Sequence, residues 1–158
     1  MKARKGGFTL VELLIVIMII AILAGMMLLA TGSATDSAEA TKIINDLRNV
    51  KSASLLYYAD NNEWPGGITG VANCTTSLEP YMDRAFDTKR YDDVQVGTEV
   101  TTGTFEGKQF IGFGLKATIA TTGITNKLAK KAADAGVYGD DAGGTFAAGG
   151  TEVWMNMK

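Results

Sequence analysis

Glu12 is a carboxylate in a place where a carboxylate is expensive. It is the fifth residue of the apolar stretch that starts at Phe8, FTLVELLIVIMIIAILAG, and no other charged residue lies between Lys5 and Asp36. Residues 13–30 form a run of 18 without a charge. An acid within a membrane helix costs about 2.5–3.5 kcal/mol on insertion scales, so Glu12 calls for a partner. The positive end of a helix favours an acid in the first turn. The plainer alternative is an acid that snorkels to the cytoplasmic headgroups.

Little else in the chain is equipped for chemistry. There is no histidine, which removes the commonest general base and the commonest transition-metal ligand together. The single cysteine, Cys74, permits neither an intrachain disulfide nor a Cys/His zinc site, and reads as a small, partly buried apolar residue. Serines, threonines and carboxylates have no base with which to form a nucleophilic triad. The stretch GGTFAAGG at 143–150 lacks the Lys-Ser/Thr of a phosphate-binding loop and reads as a hairpin turn. Asp140 and Asp141, in YGDDAGG, are weak calcium candidates as hard oxygen ligands, against an ordinary turn. Lys127, Lys130 and Lys131 read as a solvated helix face. No enzyme activity and no cofactor is expected.

The elements that must position Glu12 follow from composition. The chain has 158 residues, room for one domain and an anchor. Without Lys2, Arg4 and Lys5 it carries 12 basic and 17 acidic side chains, a net of −5, so no general nucleic-acid binding is expected. The apolar run reaches about 27 Å as a helix, close to the ~30 Å hydrocarbon core of a bilayer. The three preceding basic residues keep its N-terminal side cytoplasmic. A secretory signal peptide would have an apolar core of only about 7–15 residues, although TGSA at 31–34 offers small residues for cleavage. A plain signal anchor fits the length and leaves Glu12 unexplained.

Residues 6–12, GGFTLVE, followed by LLIVIMIIAILA, resemble the processing site of type IV prepilins and the related pseudopilins. In that family a dedicated peptidase cuts after a glycine on the cytoplasmic side and methylates the new N-terminus. The resemblance implies cleavage between Gly7 and Phe8, N-methylation of Phe8, and Glu12 as the fifth residue of the mature chain. It also implies the partner: the acid of an incoming subunit neutralises the amine of a neighbour at the filament base. The implied organisation is a leader at 1–7, a transmembrane and filament-core helix at 8–30, an amphipathic second half at 31–62 and a globular β-rich head at 63–158.

Beyond the apolar run the helical pattern continues. Ala40, Ile43, Ile44, Leu47, Val50, Ser54, Leu55 and Tyr58 recur at steps of three and four, while Asp36, Glu39, Lys42, Asp46, Arg48 and Lys51 lie mostly off that stripe. Pilins are often kinked by a proline at the place matching Leu29. This chain has Gly25 and Gly32 nearby instead, and local softening is expected between 24 and 33. In YYADNNEWPGG, Trp64 is expected to plug the gap between helix end and sheet, with Pro65 forcing an extended exit. The head should hold a short helix at 78–86, strands at 92–96, 100–105 and 109–120, and a helix at 124–136 stopped by Gly136. A final alternation at 151–157 sets Val153, Met155 and Met157 opposite Trp154. The fold class is α+β: a long N-terminal helix, half membrane-spanning and half amphipathic, packed on an antiparallel sheet, pilin-like.

The function the resemblance implies is structural. The chain would polymerise into a type IV pilus filament, held first in the inner or cytoplasmic membrane and then extracellular on the cell surface. Its implied partners are further copies in a helical filament, the prepilin peptidase, and an assembly platform with its ATPase. Two alternatives stand beside it. One is a pseudopilin of a type II secretion system. The other is a membrane-anchored adhesin or binding module that uses the Gly/Thr-rich head and Trp64.

Overall fold

The computed structural model describes residues 7–65, 68–87, 89–99, 109–140 and 144–157. In chain order the elements are α1 (Leu10–Asn61), β1 (Ile68–Thr69), α2 (Val71–Leu78), a 3-10 turn (Glu79–Tyr81), β2 (Tyr91–Glu99), β3 (Gln109–Leu115), α3 (Thr122–Ala135), β4 (Val137–Tyr138) and β5 (Glu152–Asn156). The chain separates into two compact units, Met1–Thr35 and Asp36–Lys158, and α1 contributes to both.

In the first unit the backbone is α-helical from Leu10 without interruption, Gly25 and Gly32 included. The softening expected between 24 and 33 produces no break. A glycine weakens a helix by about 1 kcal/mol but keeps the N–H that proline lacks, so the hydrogen-bond ladder runs through. Among the described residues this is the one helix long and apolar enough to cross a membrane. Its most apolar 18-residue window has a mean hydropathy of 3.1 and is wholly unburied.

In the second unit five strands lie in the order β1-β2-β3-β5-β4, each antiparallel to its neighbours. Val94 pairs with Phe113 and Val96 with Ile111 across β2 and β3, while β5 sets Val153 opposite Phe113 and Met155 opposite Ile111. Period-two alternation turns these residues to one face. There they meet Ala40, Ile43, Ile44, Leu47, Val50 and Ala53 of α1 in a single core. Each large side chain buried there contributes about 1.5–3 kcal/mol. The opposite face carries a smaller cluster of Phe110, Trp154 and Tyr138. Gly112 lies opposite Trp154 in the ladder, and a β-carbon on it would collide with the indole ring.

Several expectations are corrected by the packing. Leu55 and Tyr58 are 45% and 38% exposed, and Ala53 with half-buried Tyr57 continues the core face instead. The short helix lies at Val71–Leu78 rather than at 78–86. Pro80 has no N–H to reach back one α-turn, so a 3-10 turn takes over and Met82 is already extended, with φ −99° and ψ 135°. The strand expected to reach 120 ends at Leu115, because β2 begins at Tyr91 and offers no further partner; Lys116 then accepts the N–H groups of Ile119 and Ala120 in a turn. The strand expected at 100–105 falls outside the described residues. The helix expected at 124–136 is α3, closed by Gly136 in the left-handed region at φ 68°. The tail alternation holds, with Val153, Met155 and Met157 in the core.

Polar groups beside the core face fasten α1 to the segment before β2. Both terminal nitrogens of Arg90 donate to the carboxylate of Glu39, one of them at 3.0 Å, and its Nε donates to Asp87 Oδ2 at 3.0 Å. Lys42 reaches the same Asp87 oxygen at 3.3 Å. Asp46 is only 5% exposed, where the stripe had placed it off the packed face. It accepts from the Tyr91 hydroxyl at 2.7 Å and from Arg84 at 3.1 Å. Lys131 is not on a solvated face: it donates to the Ser37 carbonyl and to the hydroxyls of Ser37 and Thr41, tying α3 to α1. Nearby, the Asp36 carboxylate lies against Gly123 at the start of α3, and a β-carbon there would have to turn that side chain aside.

The Arg90 contacts make stability depend on pH. The guanidinium hydrogen bond holds Glu39 below its ordinary value of 4.5, against desolvation. At Asp87 burial pushes upward, but the Lys89 N–H, Lys42 and Arg90 together outweigh it and keep the carboxyl below 3.8. Both folded values are depressed, so the contribution is complete above the ordinary values and disappears as pH falls through the folded ones. Arg90→Gln should lower stability by about 1–2 kcal/mol at pH 7, since the partners are partly solvated. Thermal melts of the full chain in detergent should show this difference shrinking steadily below pH 4. A difference that stays constant to pH 2 would contradict the ion-pair account.

Candidate functional site

The chemistry-bearing residues of the first unit gather at the start of α1. Thr9 immediately precedes the helix and Glu12 is its third residue, the T-x-x-E spacing of a capping box. The Glu12 N–H donates to Thr9 Oγ1 at 3.3 Å, while the Thr9 N–H and the Thr9 hydroxyl each donate to Glu12 Oε2 at 2.8 Å. The exchange is reciprocal. It satisfies N–H groups that no earlier turn can reach. Glu12 therefore has a partner within its own chain, three residues back. The sequence carried this signal in the TLVE of residues 9–12, although reading Glu12 only as an acid awaiting an ammonium passes over it.

The other residues of the expected processing site lie just before the cap. Phe8 is 85% exposed, and Gly7 precedes it in non-helical backbone. A β-carbon at Gly7 would meet nothing within 4 Å, and the residue is not in the left-handed region. The fold thus sets no demand for glycine at position 7. Residues 1–6 of the expected leader lie outside the described residues.

The head offers no comparable gathering. Asp140 Oδ1 accepts the Gly144 N–H at 2.5 Å, which uses that acid to close its own turn, and Asp141 lies outside the described residues. Among the described residues no three His, Cys, Asp or Glu side chains converge as metal ligands. Cys74 is fully buried in α2, and burial pushes its thiol up to about 11, far from a reactive thiolate. Trp64 is half-buried and stacks on Tyr58 with ring centroids 4.7 Å apart, beside buried Pro65. It packs against the core, where a plug between helix end and sheet should sit.

A family model described as the prokaryotic N-terminal methylation motif matches residues 2–28. A fimbrial protein of Neisseria meningitidis serogroup B is 40% identical over 77 residues, covering 49% of this chain and 45% of that protein. The type IV major pilin protein PilE1 of Neisseria gonorrhoeae is 30% identical over 133 residues, covering 83% of this chain and 67% of its own. The type II secretion system core protein G of Aeromonas hydrophila is 34% identical over 91 residues, 54% of this chain and 64% of that one. Against the first of these relatives the chain spans a little under half the length. The solved structure of the major type IV pilin PilA1 from Clostridium difficile superposes with a TM-score of 0.52 at 20% identity, covering 79% of this chain and 98% of that one, which establishes the shared fold.

The cap separates two properties of Glu12 that one substitution can divide. Glutamine completes a capping box as glutamate does, whereas valine cannot. In detergent-solubilised full chain, Glu12→Gln should leave exchange of the Thr9 amide within about twofold of the parent, and Glu12→Val should speed it roughly tenfold. Equal protection in all three chains would show that the box does not form.

Proposed function

As the chain belongs to the type IV pilin family, we propose that it is a structural subunit which polymerises into a type IV pilus filament. The observation that carries this reading is an N-terminal methylation motif joined to an apolar helix that remains part of a helix-on-sheet protein. A discarded signal would have no reason to continue as one helix into the core of the second unit.

The proposed mechanism starts with Gly7. Peptidase cleavage between Gly7 and Phe8 exposes an amine, which is then N-methylated on Phe8. Support comes from the open surroundings of Gly7, which leave an enzyme's requirement, rather than a folding one, as the reason for glycine. In the membrane the apolar face of α1 meets lipid. On extraction it must be covered by other copies, and apolar burial at about 25 cal/mol per Å² favours parallel helices packed in a filament core. Glu12 then pairs with the amine of Phe8 on a neighbouring copy, which sets the stagger between subunits and prevents two unpaired charges in the apolar core. The prepilin peptidase, an assembly platform and an ATPase supply processing and the work of extraction. The subunit passes from the cytoplasmic membrane to the cell surface. The role is structural, with no catalysis assigned to any residue.

The match to a type II secretion core protein favours a second reading, a pseudopilin whose filament stays short. Both readings share processing and differ in where the filament is found. Intact mass and N-terminal sequence of the mature protein should give N-methyl-Phe8, and an intact Met1 would leave only a plain anchor. Glu12→Val and Glu12→Gln should both reach the membrane, be processed, and lose at least about tenfold in filament yield, because the charge and not the cap makes the contact between copies. Normal filaments from either variant would remove the proposed role of Glu12. Filaments sheared from the cell surface support the pilus; a periplasmic assembly with a secretion defect on deletion supports the pseudopilin.

A further inference from the structure

Two open grooves lie on opposite sides of the second unit, and the charges they hold in reserve are opposite. The first runs along the exposed side of α1, beside the segment before β2. Asn45, Arg48, Asn49 and Ser52, at helical steps of three and four, line it together with Asp83 and Arg84, and it encloses about 340 Å³. Arg84 is held by Asp46, and Arg90 by Glu39 and Asp87. Among the described residues no acid pairs with Arg48.

The second groove, of about 410 Å³, lies on the sheet face turned away from α1. Asp93 stands opposite Gly114 across β2 and β3, and Gly114 opposite Glu152 across β3 and β5, so the three form one row. Their chain neighbours Val94, Phe113 and Val153 belong to the core, which puts the row on the outer face. Two strand spacings set the acids about 9–10 Å apart along the backbone, with only a glycine between them. Asp92 lines the same groove and no cation does. Asp93 accepts from the Val94 N–H and the Gln95 amide, and Glu152 from the Trp154 indole N–H. These donors are neutral, and among the described residues no Lys or Arg forms an ion pair with any of the three acids.

We propose that the grooves are the two halves of one contact between copies of this chain: Arg48 of one copy seats over Gly114 of the next, between Asp93 and Glu152. A planar guanidinium carries five donors in a fixed fork and can face two carboxylates at once. The missing side chain at position 114 leaves the seat open. Because the contact joins unlike surfaces, each copy keeps one groove for a further copy, and the contact repeats head to tail instead of ending at a dimer.

This inference rests on the filament reading, and its test separates the two. Arg48→Glu, Glu152→Arg and the double exchange would be compared with the parent chain for sheared or periplasmic filament per mole of processed, N-methylated subunit. Each reversal sets like charges against each other and should lose about tenfold, while the exchange should return to within about threefold of the parent. A single reversal at parental yield, or an exchange no better than the poorer single variant, overturns the contact. Parent chain that is processed yet forms no filament overturns the filament reading, and this contact with it. A second measurement leaves every charge in place. Ser52 lines the first groove and Thr151 the second, and the native Cys74 is buried. Filaments of a Ser52→Cys, Thr151→Cys chain should give, on mild oxidation, a ladder of disulfide-linked dimers and higher oligomers. Filaments that yield only monomers would overturn the contact while the filament reading stands.

Discussion

The backbone of an apolar segment must satisfy its own hydrogen bonds, because hydrocarbon offers none in exchange. Within a helix that demand is met everywhere except at the ends, where the first N–H groups have no earlier turn to bond to. In α1 the shortage is met at Thr9 and Glu12, whose three mutual hydrogen bonds close the first turn from within the chain. The acid that looks out of place in an apolar run is thus part of what makes the run a helix. Its charge faces the positive end of the helix, where a carboxylate is favoured.

The second unit holds the same helix by different means. From Ala40 onward one face is taken up by the sheet, the neighbouring flanks carry charges that find partners in the segment before β2, and Lys131 of α3 donates to Ser37 on α1. Asp46 shows how narrow the margin is. Buried on α1, it would be an uncompensated charge without the Tyr91 hydroxyl and Arg84, and Tyr91 is itself pushed to a higher pKa by burial first and by Asp46 second. Phe86, Tyr91 and Phe113 then pack with ring centroids within 5.3 Å of one another, so the turn that carries the polar partners is also fixed by aromatic packing.

A subunit of a helical polymer needs one surface that is stable in lipid and equally stable against copies of itself. In the first unit α1 exposes apolar side chains, with Glu12 as the single charged residue between Lys5 and Asp36. Nonpolar packing of this kind is strong and poorly directional. A single buried charge pair is the opposite, contributing little net energy but penalising every wrong register.

Much of this was legible from residue order alone. The apolar run, the GGFTLVE stretch, the stripe on α1, the alternation of β3 and β5 and the stop at Gly136 are local patterns, and local patterns survive without knowledge of neighbours in space. Three things were decided only by tertiary structure. Asp46 and Lys131 looked like solvated positions because their partners lie 38 residues or more away along the chain. The strand at 109–120 lost its last turns because a strand lasts only as long as its neighbour, and β2 begins at Tyr91. The core face of α1 turned toward Ala53 and Tyr57 rather than Leu55 and Tyr58, since near the end of the helix the sheet and its loops, not the helical period, determine which side is covered. Residue spacing determines what a segment can become; what it meets across the fold determines how far it extends and which of its charges must be paired.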